Sequence, residues 1–140
     1  MILIAYDGSA DEQAAIERAG ELLGGEAATV LTVWERFVDV VTRSGAGMPI
    51  GEVDYESLDR GYEEQARQRA EEGAERASRA GLNAQGRTRG RHNSIAATIL
   101  AEADEVGAAA IELWRPRVRP CAFRPARLAR SAPSSARWRA

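Results

Sequence analysis

Ile2-Leu3-Ile4-Ala5-Tyr6-Asp7-Gly8-Ser9 opens the chain and is the stretch that predicts its fold. Its apolar and aromatic residues form a short run that stops at Asp-Gly-Ser, the pattern of a buried strand that meets a turn. Ser9 and Glu12 stand three residues apart and match a capping box, in which a hydroxyl and a carboxylate each satisfy a free backbone N–H at a helix start. The opening therefore predicts a strand, a turn and a helix in direct succession.

The same alternation continues along the chain. The first helix is predicted to bury Ile16, Ala19, Leu22 and Leu23 and to end at Gly24-Gly25. The irregular stretch 36–53, which is rich in Gly and holds a Pro, predicts an exposed loop. The other predicted elements are a strand over 27–34, a long amphipathic helix over 55–80, a weak strand over 82–89, a helix capped by Asn93 or Ser94, and a strand over 108–113.

Apolar strands that alternate with amphipathic helices indicate parallel βαβ units with right-handed crossovers. The predicted fold class is a doubly wound α/β protein with four recognisable strands. In such sheets ligands bind outside the carboxyl ends of the strands, where the strand order reverses. This rule predicts a binding site beside Asp7.

Composition excludes several kinds of chemistry. The 140 residues fit one domain, and none of the 19 basic residues is a lysine, which excludes a Walker-type phosphate loop and a receiver-domain phosphorylation site. One cysteine, Cys121, and one histidine, His92, predict neither a disulfide nor a metal site. No apolar run is long enough for a membrane span or a signal peptide, so we expect a cytoplasmic protein without membrane association.

Charge divides the chain. All 21 acidic residues lie in 1–112, whereas the last 28 residues hold eight arginines and no acid. We therefore expect an α/β domain over 1–113 and a disordered Arg/Pro/Ala-rich tail over 114–140. The alternative for the tail is an arm that binds nucleic acid or an anionic membrane through phosphate contacts.

Four features together resemble the universal stress protein family. They are the opening 2–9, Leu31-Thr32-Val33 at the end of the second strand, the long second helix, and Ile99-Leu100-Ala101-Glu102-Ala103 before the strand at 108–111. The resemblance implies a regulatory protein of the stress response that binds ATP or another adenine nucleotide across the strand ends. It places the nucleotide-binding residues at Ala5, Asp7, Ser9 and Val33.

One part of the family pattern is missing. The family holds phosphates with a loop after the fourth strand, patterned as Gly, two residues, Gly, nine residues, then Gly with Ser or Thr, but this chain has no glycine after Gly107. Glycines let backbone N–H groups approach phosphates closely. We therefore expect weak or absent ATP binding. The family's fifth strand is also not recognisable, which puts the homodimer that family members form through it in doubt.

A frameshift would explain the tail. Read one base later, the codons of Trp114, Arg117 and Arg127 can each encode glycine and that of Leu128 can encode serine, which restores the spacing of the family's phosphate loop. The hypothesis concerns the gene, and the alternative is a genuinely divergent tail.

No arrangement of nucleophile, base and orienting residue stands out, so we expect a binding module and not an enzyme. Slow ATP hydrolysis by intact relatives stays open. One alternative is an ATP-using enzyme of the related pyrophosphatase group, but its Ser-Gly-Gly loop is not found in Tyr6-Asp7-Gly8-Ser9. Another is a nucleic-acid-associated protein that acts through the Arg-rich tail.

Overall fold

The computed structural model describes residues 1–45 and 53–113. The tail 114–140 lies outside the described residues, so the predicted domain boundary at 113 stays a prediction. The elements in chain order are β1 (Ile2–Ala5), α1 (Ala10–Leu23), β2 (Ala27–Trp34), α2 (Phe37–Ser44), α3 (Tyr55–Arg79), β3 (Asn83–Gly90), α4 (Ile95–Val106) and β4 (Ala110–Glu112).

The four strands form one parallel sheet in the order β3-β2-β1-β4. The chain builds outward from β1 through β2 to β3, then crosses over to place β4 on the other side of β1. The strand order therefore reverses between β1 and β4. This confirms the predicted doubly wound α/β class, and it places the end of β1 at the switch point.

Each face of the sheet carries its own core. One face is covered by α1 and α3, and its core includes Ile4, Ile16 and Val30. The opposite face is covered by α4, with Leu3, Leu31 and Ile99 at its centre. Alternate residues of β1 thus point into different cores, which is why both Leu3 and Ile4 are fully buried.

Small residues on α3 let this helix lie close to the sheet. Ala66, Ala70, Gly73, Ala74 and Ala77 are its buried positions. A Cβ at Gly73 would stand 2.7 Å from Cδ1 of Tyr6 and 2.8 Å from Cγ1 of Val30. The Tyr6 ring therefore occupies the room that this glycine leaves.

The weakly predicted third strand is present, although most of its residues are polar. Arg87 and Arg89 of β3 converge on Glu102 of α4, whose side chain is only 1% exposed. The Arg87 Nε lies 3.0 Å from the Glu102 Oε1, without the alignment of a hydrogen bond, and the Arg89 Nε donates to Oε2. Glu105 accepts from both arginines, at 3.1 and 2.6 Å. Charge pairing thus holds β3 against α4 where apolar burial is scarce.

The prediction of a loop over 36–53 is wrong in part, because Phe37–Ser44 forms the helix α2. Its valines are poor helix formers, so local propensity disfavoured this helix. Tertiary contacts stabilise it: the Phe37 N–H donates to Asp59 Oδ1 at 2.8 Å, and its ring packs against Tyr55 and Tyr62 at 6.0 and 6.5 Å between centroids. Residues 46–52 of the predicted loop lie outside the described residues.

Some predicted core positions are exposed. Leu22 and Leu23 are 66% and 40% exposed because the last turn of α1 lies beside β4, the outermost described strand on that side. These leucines border a cleft of about 210 Å³ together with Ile2 and Ile111. On the other helices Leu58, Tyr62, Ile95 and Leu100 are also exposed. No helix within 1–45 or 53–113 is both long and apolar enough to cross a bilayer.

We predict opposite effects for two glycines of α3. Gly73→Ala should lower the free energy of unfolding by about 1–3 kcal/mol, because the added methyl group collides with Tyr6 and Val30. Gly61→Ala is the matched control, since a Cβ there meets nothing within 4 Å and should stabilise the helix by about 0.5–1 kcal/mol. Urea denaturation measures both, and an equal gain in stability from the two variants would contradict the close packing.

A second prediction concerns the charge network. Glu102→Ala should lower the free energy of unfolding by about 1–3 kcal/mol, because it removes the buried carboxylate that both arginines contact and leaves them with Glu105 alone. Glu105→Ala removes an exposed partner of the same arginines and should cost far less. Thermal denaturation of the two variants compares them directly, and equal losses would show that burial of Glu102 does not matter.

Candidate functional site

The turn that follows β1 lies at the switch point of the sheet. β1 ends at Ala5, and the Tyr6 N–H extends its pairing by donating to the Leu31 carbonyl at 2.9 Å. Ala5 is level with Leu31 in the parallel register, and Asp7 follows two residues after Ala5, where the paired part of β1 has ended. Of the four residues predicted to bind the nucleotide, Asp7 and Ser9 are in direct contact, and Val33 lies near the carboxyl end of the neighbouring strand β2.

The backbone of Val33 faces this turn. The Leu31 carbonyl points toward β1, since it accepts from Tyr6, whereas the Trp34 carbonyl points toward β3, since it accepts from Arg91 N–H at 2.7 Å. Residues two apart in a strand direct their N–H and C=O groups to the same side. The Val33 donor and acceptor therefore point toward the β1 side of β2, at a level where β1 has already ended.

Ser9 and Gly8 shape the turn. Ser9 caps α1, with its Oγ accepting from the Glu12 N–H at 3.3 Å, and its own N–H donates to Asp7 Oδ1 at 2.7 Å. Gly8 has a φ of +90°, a conformation that L side chains rarely adopt. The Gln13 amide donates to the Gly8 carbonyl at 3.1 Å. Side chains of α1 and of the turn itself therefore hold this loop.

The predicted capping box forms only in part. Its Ser9 half is present, but the Ser9 N–H binds Asp7 and not Glu12. Glu12 Oε2 instead accepts from the backbone N–H of Asp7. Sequence reasoning missed this pair because the capping pattern describes only the contacts of Ser9 and Glu12.

The pKa values of the Asp7 and Glu12 carboxyl groups are shifted in opposite directions. Burial, followed by the hydrogen bond to Asp7, raises the pKa of the half-buried Glu12 to about 7. The hydrogen bond from Glu12 is also the main cause that lowers the pKa of Asp7 below its ordinary value. Below about pH 7 Glu12 is therefore mainly protonated, whereas Asp7 is ionised.

Ala5, the fourth predicted residue, contributes differently. Its side chain is partly buried against the core of the α4 face, beside Leu3 and Leu31. It therefore packs under the site and does not present its side chain there. His92 is exposed, and no group of three or more metal-ligating side chains occurs within residues 1–45 and 53–113.

Two further carboxylates lie at or near the strand ends. Glu35 follows β2 and pairs with Arg43 and with Arg91, whose Nη1 lies 2.9 Å away, and these arginines hold its pKa below the ordinary value. Arg43 and Arg91 also line a cleft of about 430 Å³. Glu112, in β4, has a buried Oε2 without a hydrogen-bond partner among the described residues, and burial raises its pKa. No sequence motif marked either group.

A larger groove lies elsewhere. It measures about 500 Å³ and runs between α3 and β3, bordered by Glu71, Glu75, Arg79 and Gly86. Its walls belong to the second half of the helix and the first half of the strand, away from the carboxyl ends. We place the candidate site at the Asp7 turn, because strand topology and open polar groups coincide only there among these features.

Fold and site together define a doubly wound parallel α/β domain with its candidate site at the β1–β4 switch point. The model of the universal stress protein family matches residues 1–113, and the chain belongs to this family. No curated protein is similar enough in sequence to this chain to refine that assignment.

Solved structures share the fold. A universal stress protein family member from Burkholderia pseudomallei is 23% identical with a TM-score of 0.58, over 79% of this chain and 77% of that protein. The hypothetical protein PH0823 is 22% identical with a TM-score of 0.55, over 79% of this chain and 74% of that one. At this identity the likeness supports the architecture alone.

We predict that Glu12→Gln stabilises the protein at alkaline pH. The folded state holds the Glu12 proton up to about pH 7, whereas the unfolded state releases it near the ordinary pKa of 4.5. Stability contributed by this group therefore falls as pH rises between these values. The variant avoids that loss, and its melting temperature should exceed that of the native protein by about 2–4 °C above pH 7, since solvent screens a half-buried carboxyl.

The difference should vanish below about pH 4.5, where both states of the native protein are protonated at this position. Thermal denaturation across the pH range measures it. A constant difference at every pH would mean that Glu12 acts through packing and not through its charge.

Proposed function

We propose that the chain is a cytoplasmic, non-catalytic module of the stress response that binds the nucleoside part of an adenine nucleotide. Membership of the universal stress protein family supports a stress-response module. The observation that carries the ligand proposal is the open backbone of Val33 on the β1 side of β2, at the switch point where the chain leaves β1 for the Asp7 turn.

The polar groups at the turn suit adenosine. Val33 offers one N–H donor and one C=O acceptor in a fixed orientation, and the edge of adenine offers a matching acceptor and donor. The Asp7 carboxylate is exposed and accepts hydrogen bonds, as two adjacent ribose hydroxyls require. A base and a sugar that lie across the ends of β2 and β1 would use both.

The described residues at the switch point offer few groups that could bind phosphates. Asp7, Glu12 and Glu112 are acids, and the sequence supplies no glycine beyond Gly107 for a backbone cradle. An intact loop would add several hydrogen bonds to charged oxygens, each worth roughly 1.5–3 kcal/mol. Without them the triphosphate should contribute nothing to the affinity.

A binding role also fits the chemistry of the site. The described residues bring no nucleophile and base together at the turn, since Ser9 caps a helix and accepts from Glu12 N–H. Family members are generally regulatory proteins and not enzymes. The two alternative functions rest on a Ser-Gly-Gly loop that the turn lacks and on a tail outside the described residues, so neither is favoured.

We predict that adenosine and ATP bind the 140-residue chain with affinities within about threefold of each other, in the millimolar range. The reason is that only the nucleoside makes contacts. Titration followed by backbone NMR should shift the amides of Val33 and of the turn 7–9 with both ligands. An ATP dissociation constant below about 10 µM, measured by calorimetry, would contradict the proposal.

Asp7→Asn should weaken adenosine about tenfold, because it removes the charge that strengthens the bonds from ribose hydroxyls. Asp11→Asn is the matched control, since Asp11 is an exposed acid in the first turn of the same helix. Equal losses in the two variants would mean that general charge, and not Asp7, decides the affinity.

A further inference from the structure

The pairing of β1 with β2 ends at the carbonyl group of Tyr6. In a parallel pair, a residue donates its N–H to the partner strand and accepts, through its C=O, from the partner residue two positions further on. The Tyr6 N–H donates to the Leu31 carbonyl at 2.9 Å. The next bond of this ladder would therefore join the Val33 N–H to the Tyr6 carbonyl.

That next bond does not occur among the described residues. The Tyr6 carbonyl instead accepts from the Thr32 hydroxyl at 2.8 Å, and the register ends with Ala5 opposite Leu31. Thr32 is 3% exposed and, like Val30 two residues earlier, lies on the face of the sheet that α3 covers. Its hydroxyl therefore turns the carbonyl toward this face and out of the line of the ladder.

The peptide unit between Tyr6 and Asp7 is held from two sides. Its carbonyl oxygen accepts from Thr32 of β2, and its N–H donates to Oε2 of Glu12 in α1. Because a peptide unit is planar and rigid, two bonds at its opposite ends fix its orientation. The Tyr6 carbonyl therefore stays out of the ladder as long as both side chains keep their bonds.

We propose that Thr32 is a positioning residue, which keeps the Val33 N–H available to a ligand by binding the carbonyl that would otherwise accept from it. The inference rests on the proposed function, in which the Val33 N–H donates to the edge of adenine. Thr32 is buried, so it acts through Tyr6 and not by contact with the ligand. The role belongs to the hydroxyl group, because a side chain of the same shape without a donor would leave the carbonyl able to pair with Val33.

Three substitutions separate the hydroxyl from its surroundings. Thr32→Val keeps the shape and removes the donor, whereas Thr32→Ser keeps the donor and removes a methyl group. Thr29→Val is the matched control, because Thr29 is a fully buried threonine of the same strand whose hydroxyl lies near Met1 and Gln85, toward the other end of β2. A loss of stability that both valine variants share is thereby distinguished from an effect on Val33.

The first measurement needs no ligand. Amide hydrogen exchange, followed by NMR on the 140-residue chain, should be fast at Val33 in the native protein, in Thr32→Ser and in Thr29→Val. In Thr32→Val the Val33 N–H pairs with the Tyr6 carbonyl, and its exchange should slow by about tenfold or more. Thr32→Ala lacks the same donor and should show the same slowing. Exchange at Val33 that stays as fast as in the native protein in both variants overturns the positioning role.

The second measurement compares adenosine with adenine, which lacks the ribose. Thr32→Val should bind both about threefold to tenfold more weakly than the native chain, because the bond from the Val33 N–H is lost for each. Thr32→Ser and Thr29→Val should bind both within about twofold of the native chain. A loss for adenosine alone would mean that Thr32 acts on Asp7, and it overturns the role at Val33.

The proposed function and the role of Thr32 fail in different ways. If the native chain binds neither adenosine nor adenine at up to about 10 mM, the proposed function fails, and the exchange of Val33 still decides the role of Thr32. If the native chain binds both and Thr32→Val binds them equally well, the positioning role is overturned and the proposed function stands.

Discussion

The ring of Tyr6 lies where a side chain at residue 73 would otherwise stand, and this contact determines how closely α3 approaches the sheet. Because Tyr6 follows directly after β1, the same contact fixes the direction in which the chain leaves the strand. Asp7 and Gly8 then begin the turn that carries the candidate site. The geometry of an exposed polar turn thus depends on a buried aromatic ring and on a glycine in a distant helix.

Most of the architecture could be predicted because it follows from apolar periodicity. The opening strand, the capping residues Ser9 and Ser94, and the long helix α3 all have strong local patterns. The helix α2 has no such pattern, because its residues are partly β-branched and a Gly-rich stretch follows it. Aromatic contacts with α3, which the sequence pattern does not reveal, stabilise this helix. The exposure of Leu22 and Leu23 depends on which strand ends the described sheet, and helical periodicity carries no such information.

The site divides in the same way. The positions of Asp7 and Val33 follow from strand ends and register, which sequence patterns specify well. The contact of Asp7 with Glu12 could not be predicted in this way, because the residues of a capping motif can form several alternative sets of hydrogen bonds with the same backbone groups. The burial of Glu102 between two arginines could not be predicted from the sequence either, because an acidic residue in a helical pattern normally indicates a solvated face.

The parallel pairing of β1 on both sides has a consequence for the order in which the chain assembles. β2 follows β1 after a single helix, whereas β4 joins the other edge of β1 only after nearly the whole described chain has been made. On a ribosome, the three-stranded part with α1 and α3 can therefore condense early, while the α4 face of β1 stays uncovered. Leu3 and Leu31 would stay exposed on this face of the sheet until α4 forms and Ile99 packs against them. The same central strand that unites the two cores thus makes the second core the last to close.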